Sequence, residues 1–281
     1  MSSVIRFLKS VSTKSIPKSS ATSLKWSDIR RNYGDKPKAG SSSKQVMVRG
    51  TEDIRVRVRR ARPADIPRVL RFVKEHSRLA WPGLVGNIPG TNSHIAISDY
   101  VARTLAQGHS MLAEQQEAKR GWSQIRGLAL STSVCPWDAT MLEKWARCVK
   151  CSRSRKLMLF TAHCLRAPGL HDKYRVHNIM QVVLIVPPNA PKSSEIIQML
   201  AKNSIQRGRD LGFQVLRFDV TDDPVAKVLD SLQLKKEYEF NYEVLPNAIK
   251  IFSDDTNNNA SDAKKGKNII VYTAFTHADK S

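Results

Sequence analysis

Met180 to Val186 (Met-Gln-Val-Val-Leu-Ile-Val) is an almost unbroken apolar run that stops at Pro187-Pro188. A run this short and this continuous is the mark of a β-strand buried on both faces, because a half-exposed strand would alternate. Proline has no N–H to give to a ladder, so the pair ends the strand. Downstream, Ser194 to Gly208 gathers Ile197, Leu200, Ala201 and Ile205 on one side of an amphipathic helix, and Gln214 to Val220 reads as a second buried strand. Strands hidden on both faces need helices on both, so the chain is an α/β layer structure.

The flanking segments fill in that architecture. Ile54 to Arg59 alternates apolar and basic residues, which predicts a half-exposed first strand. Arg62-Pro63-Ala64-Asp65 opens a helix with Val69, Leu70, Phe72 and Val73 at helical spacing, and Trp81-Pro82-Gly83 stops it. Ile95 to Leu105 predicts a second helix, and Ser110 to Glu114 with Gln124 to Val134 a hairpin around the polar turn Gln115 to Gly121. Residues 139–165 read as mostly helical and Pro224 to Leu232 as a short helix. Tyr238 to Leu245 and Asn268 to Phe275 are closing strands separated by the polar loop 253–267. No internal repeat is visible, and the order implies helices returning the chain on both sides of a mixed sheet.

The formal net charge of +21 over 281 residues is unevenly spread: residues 1–50 carry 11 Lys/Arg against Asp28 and Asp35. Residues 1–27 contain five basic residues, no acid and many serines, and a helix over residues 3–12 would collect Val4, Ile5, Leu8 and Val11 on one face. That composition is typical of a mitochondrial transit peptide, and Arg31-Asn32-Tyr33 resembles a matrix-processing site. The expected organisation is a presequence at 1–33, a flexible linker at 34–53, a folded domain at 54–275 and a tail at 276–281, in the mitochondrial matrix. A disordered basic tail on a cytoplasmic protein is the alternative. A hydrophobic fraction of 41% can build a core. No window approaches the roughly 18 apolar residues of a membrane span, so a soluble protein with no membrane partner is expected. Of the four cysteines, Cys148 and Cys151 form a CxxC, with Cys135, His163 and Cys164 as the nearest further candidates. Zinc needs a second pair at matching spacing, so no metal is expected. The basic stretch Lys150 to Lys156 lacks interleaved aromatics and any RNA-binding motif, which leaves no strong nucleic-acid signal.

Residues 54–275 resemble the GNAT superfamily of acyl-CoA-dependent N-acetyltransferases, nearest the arylalkylamine (dopamine-type) branch. The resemblance is carried by Arg62-Pro63-Ala64-Asp65 after the first strand, a helical insert with His171-Asp172-Lys173-Tyr174, and the strand ending Val186-Pro187-Pro188. Asp219-Val220-Thr221 followed by Ala226-Lys227 and Leu232 extend it. It implies a mixed, mostly antiparallel sheet flanked by helices and splayed between its fourth and fifth strands, with the pantetheine arm of acetyl-CoA in the gap. By that resemblance Leu184, Ile185 and Val186 hold the acyl arm. Lys192, Ser193 and Ser194 sit at the phosphates, where helix-end N–H groups and the helix dipole favour anions. The partners implied are acetyl-CoA as co-substrate and a small amine.

Several positions depart from the family pattern. The phosphate loop carries Pro191, Ser194 and Ile196 where the family has a cationic or amide residue and two small ones. Trp81 stands before Pro82 where the branch has a glutamate base, leaving Glu75 and His76 one to two turns upstream. Thr221 keeps one of two family hydroxyls and Val225 replaces the other, while Asp222 and Asp223 are new carboxylates in that turn. Gln233 stands where glycine is usual. The resemblance implies a tyrosine as general acid, with Tyr238 and Tyr242 near the right strand. The candidate catalytic set is therefore Asp222, Thr221, Asp223 and Tyr238. Two functions follow: acetyl transfer from acetyl-CoA to an arylalkylamine-type primary amine, or a catalytically degenerate GNAT-fold binding module in mitochondria with a protein partner.

Overall fold

The computed structural model describes residues 55–81, 93–117, 121–150, 152–241 and 268–276. The expected presequence, linker, 253–267 loop, Tyr242 and most of the tail lie outside these residues, and so does Cys151. The described residues belong to one compact unit, Thr51–Ser281.

Among the described residues, seven strands form one sheet. Their ranges are β1 Val56–Arg60, β2 Met111–Glu117, β3 Gly121–Val134, β4 Ile179–Ile185, β5 Val215–Val220, β6 Lys235–Asn241 and β7 Asn268–Phe275. The spatial order is β1-β2-β3-β4-β5-β7-β6. Only β4 and β5 run parallel; the other neighbours are antiparallel. A parallel neighbour requires a crossover, which helix α6 (Ser193–Asp210) supplies. Helix α7 (Asp223–Ser231) follows β5.

Every residue of β4 is buried, as the apolar run predicts. Its alternate side chains feed two cores. Met180, Val182 and Leu184 pack under α6 and α7 with Leu216, Phe218, Val225 and Leu229. Val183 and Ile185 face the opposite layer, with Val69, Phe72 and Val73 of α1 (Ile66–Ala80), Val101 of α2 (Ser93–Ala106) and Phe160 of α4 (Ser152–Arg166). The mostly helical stretch 139–165 is made of two helices, α3 (Asp138–Cys148) and α4. A close approach sets α6 against the sheet: a Cβ on Gly127 of β3 would lie 2.7 Å from Ile196, 2.9 Å from Leu200 and 3.1 Å from Val186.

Two polar clusters lock the ends. Arg59 of β1 grips Asp65 bidentately (2.7 and 2.8 Å) and Glu114 of β2 (2.7 and 2.8 Å), while Asp65 also accepts the Arg62 N–H at 2.8 Å. The Arg62–Asp65 segment thus ties α1 to the first hairpin. At the other edge, Lys173 and Tyr174 of the short helix α5 (Leu170–Tyr174) bond the Glu237 carboxylate of β6. Lys235 and Thr273 reach it at 3.1 Å each. The strand β6 begins at Lys235, three residues before the start read from sequence, because Glu237 has this set of donors to bury against.

Candidate active site

The site starts where β4 and β5 part. Ile179–Val182 pair with Val215–Phe218, and no further rung joins the two strands, although β4 runs on to Ile185 and β5 to Val220. Beyond Val182, β4 keeps its bonds to β3 on one side while β5 keeps its bonds to β7 on the other. The gap leaves main-chain polar groups of β4 without a strand partner on the β5 side, and such groups need another partner. Leu184, Ile185 and Val186 stand at this edge with buried side chains, so what they offer a ligand is backbone.

Past the gap, Pro187 to Pro191 turns the chain into α6. Lys192 is its N-cap residue in the left-handed region (φ 57°), and no side chain caps the helix. The first-turn N–H groups of an 18-residue helix are therefore open toward solvent, beside exposed Lys192 and Ser194. Glu195, also exposed in that turn, places a negative charge beside them. Ile196 does not obstruct the loop, as the family comparison of residues would suggest. Its side chain is fully buried, opposite the missing side chain of Gly127.

On the other side of the gap, Thr221 follows β5 and donates its hydroxyl to the Leu79 carbonyl at 2.6 Å, joining β5 to the end of α1. Asp222 is the N-cap residue of α7 but makes no side-chain cap bond. Its half-buried carboxylate makes no hydrogen bond or ion pair among the described residues, and burial, then the neighbouring Asp223, push its pKa up. Asp223 is exposed in the first turn. Val225 is buried in the core under α7, so the second family hydroxyl is replaced by packing. Trp81, at the expected base position, meets Tyr100 of α2 edge-on with ring centroids 5.6 Å apart. Glu75 and His76 of α1 line a cleft with Pro187, Asn189 and Ala190 of the β4–α6 connection, and burial lowers the His76 pKa.

Sequence reading missed a charged group inside the sheet. Arg217 of β5 is 2% exposed; it pairs with Asp219 at 2.7 Å and donates to the Cys164 carbonyl at 3.1 Å. Gln181, its register partner on β4, bonds the other Asp219 oxygen. The network occupies the last paired rungs before the strands part. Tyr100 lies near it, and burial together with the Asp219 charge pushes its phenol up to about 12. The signal in the sequence was an arginine and an aspartate two apart in an otherwise apolar strand, hence on one face.

Thr221, Asp222 and Asp223 come together at one side of the gap, and Leu184 to Ser194 form the other. Tyr238 joins neither. It lies on β6 opposite Val271, which in turn faces Asp219, so two strand spacings, about 9–10 Å, separate it from β5. It is 38% exposed. An apolar cleft of about 560 Å³ opens between α2, α3 and α4, walled by Tyr100, Trp145, Leu157 and Met158 and reaching Gln181. Among the described residues no three His, Cys, Asp or Glu side chains converge on a metal position, and no helix is long and apolar enough to cross a membrane.

No family model and no curated protein matches the sequence. Solved structures do match its fold. A mosquito arylalkylamine N-acetyltransferase-like 5b superposes with a TM-score of 0.65 at 16% identity, covering 79% of this chain and 100% of that one. Arylalkylamine N-acetyltransferase 2 from Aedes aegypti gives 0.63 at 18% identity over 79% and 99% of the two chains. The polyamine N-acetyltransferase of Drosophila melanogaster, which forms N-acetylagmatine, gives 0.61 at 15% identity over 79% and 100%. The chain has the GNAT fold, as the sequence resemblance implied, and arylalkylamine and polyamine N-acetyltransferases are among the solved structures that share it.

Proposed function

We propose that this chain is an acyl-CoA-dependent N-acetyltransferase that moves an acetyl group from acetyl-CoA to a primary amine of the arylalkylamine type. The observation that carries the reading is the parted β4–β5 edge in front of an uncapped helix N-terminus. An extended thioester arm fits an unpaired strand edge, and helix-end N–H groups suit its phosphates. Acetyl-CoA supplies an activated acyl carbon held to sulfur. The chain's own residues must align the amine, take its proton and keep water out.

Asp222 is the residue for the proton. A general base works best when its pKa approaches the working pH, and a raised carboxylate with no capping bond is free to accept. The substrate ammonium gives one proton to Asp222; as the C–N bond then forms and the C–S bond breaks, a second proton passes from that nitrogen to the departing thiolate. Thr221, fixed on Leu79, holds the turn that carries Asp222 in register with the end of α1. The apolar cleft at Tyr100 is sized for an aromatic body, which favours an arylalkyl chain. The basic N-terminal segment supports a mitochondrial location, testable by fusing residues 1–33 to a reporter.

The decisive experiment mixes purified full-length protein with acetyl-CoA and a panel of arylalkylamines and follows CoA release. Turnover that requires an amine upholds the reading. Absence of both turnover and acetyl-CoA binding rejects it. A bound donor at 100 times its Kd adds about 2.7 kcal/mol to stability, which thermal melting resolves. One observation favours a second reading, a non-catalytic donor-binding module: Trp81 fills the family's base position and meets Tyr100 edge-on. Under it, acetyl-CoA binds but no amine is acetylated.

A further inference from the structure

The loop before α6 has lost its cationic side chain to Pro191 and carries Glu195 against Lys192, so it is nearly neutral. Beside it, on the α1 face, lies a cleft of about 390 Å³. Its walls are Arg68 and Arg71 of α1, Arg126 of β3, and Pro187, Asn189 and Ala190 of the β4–α6 connection. The arginines do not have equal freedom. Arg68 contacts Asp65 at 3.3 Å and Glu114 at 3.0 Å. Arg126 donates Nε to the neutral Gln115 Oε1 at 2.6 Å, which fixes the guanidinium without neutralising it. No carboxylate among the described residues forms an ion pair with Arg71 or Arg126. Glu75 and His76 also face the cleft. Burial lowers the His76 pKa. Two uncommitted guanidiniums therefore face one carboxylate in a concave site against the donor loop.

We propose that this cleft binds phosphate and takes the phosphorylated nucleotide end of the acyl donor, with Arg71 and Arg126 supplying the cations missing at the loop. The inference rests on the acyl-CoA reading. Guanidinium forks from two rigid elements match phosphate oxygens in a way that one flexible lysine does not. The positions are also sequence-independent of the loop: α1 and β3 reach it only through the fold. The donor would then be held at its arm by backbone and at its phosphates by side chains from the other layer.

Calorimetry on the full chain tests this with CoA, adenosine bisphosphate (the nucleotide end alone) and pantetheine (the arm alone). In Arg71→Gln/Arg126→Gln, CoA and adenosine bisphosphate should bind at least about tenfold more weakly, a change of ~1.4 kcal/mol, with pantetheine unaffected. Arg126→Lys should recover part of the loss. Arg71 is exposed and Arg126 half-buried, so melting without ligand should barely move, and that measurement controls for folding. CoA binding by the double variant within about twofold of wild type would overturn the proposal while leaving the donor reading intact. Arginine-dependent binding of adenosine bisphosphate by a wild type that ignores CoA would keep the anion site and reject the donor reading. A wild type that binds neither refutes both.

Discussion

The two sides of the β4–β5 gap have met sequence change differently. The donor side, β4 and the start of α6, presents backbone: an unpaired strand edge and uncapped helix N–H groups. The proposed acceptor side, β5 into α7 and the end of α1, depends on which side chains stand there, and Trp81, Val225, Asp222 and Asp223 differ from the pattern of the family that the chain resembles. Main-chain geometry survives substitution wherever the core still packs. Ile196 shows how: it turns inward against Gly127 and leaves the loop's amides untouched. Side-chain chemistry has no such tolerance, so under the proposed function the acceptor side is what decides activity.

The largest expected effect separates the two sides. Asp222→Asn should reduce kcat by about 10²–10⁴-fold, the usual contribution of a general base, with acetyl-CoA affinity unchanged. Steady-state kinetics and donor titration read both. Because the carboxylate pKa is raised in the fold, its charged form is disfavoured there and stability falls as pH rises through that pKa. The same variant should therefore melt no lower, and slightly higher, near neutral pH. In the wild type, kcat/KM should fall on the acid side as Asp222 takes up its proton. Equal loss of donor binding and turnover would erase the contrast between the two sides.

Next in size is the lock at the far edge. Burial alone would raise the Glu237 pKa, but bonds from Lys173, Tyr174 and Lys235 win and hold it at about 2. A depressed carboxylate stabilises the fold above its unfolded pKa and loses that contribution as pH falls toward the folded value. Glu237→Gln should cost roughly 2 kcal/mol at pH 7, the scale of a hydrogen bond to a charged group, and should flatten the decline between about pH 4.5 and 2. Urea melts across that range measure it. Both sides of the gap are remote from this edge, so donor affinity should not follow. Gly127→Ala works in the opposite sense. Its Cβ meets Ile196 and Leu200 under 3.0 Å, so it should cost ~1–3 kcal/mol by overpacking and weaken donor binding by displacing α6.

The legible parts of this chain were those with a local cause. The β4 run, its proline stop, α6 and the resemblance words sufficed for the layers and for the splay. Partnerships across the sequence were not legible. Nothing local pairs the Arg217–Asp219 network with Gln181 until β4 comes beside β5, and nothing local starts β6 at Lys235 until α5 brings Lys173 and Tyr174 to Glu237. The arginine cleft combines residues from α1 and β3 with the β4–α6 connection, an assembly that no window of the sequence contains.

The smallest prediction concerns a position where residue identity and backbone disagree. Gln233 holds φ 58° after α7, and the Leu234 N–H returns to the Leu229 carbonyl at 3.2 Å while the Gln233 N–H bonds Asp230 at 2.9 Å. That is a Schellman end, whose left-handed residue is normally glycine. The equivalent end of α6 has one: Gly212 sits at φ 80°, with Phe213 bonded back to Gly208 at 2.9 Å. A residue with a Cβ is strained by roughly 1 kcal/mol in this conformation, offset in part by the larger unfolded-state freedom of glycine. Gln233→Gly should thus stabilise the chain by about 0.5–1 kcal/mol without changing donor affinity. Because α7 begins with Asp222, a rise in kcat alongside the stability gain would mean that strain at the helix end reaches the base. An unchanged kcat would confine the acceptor side's chemistry to the first turn of α7.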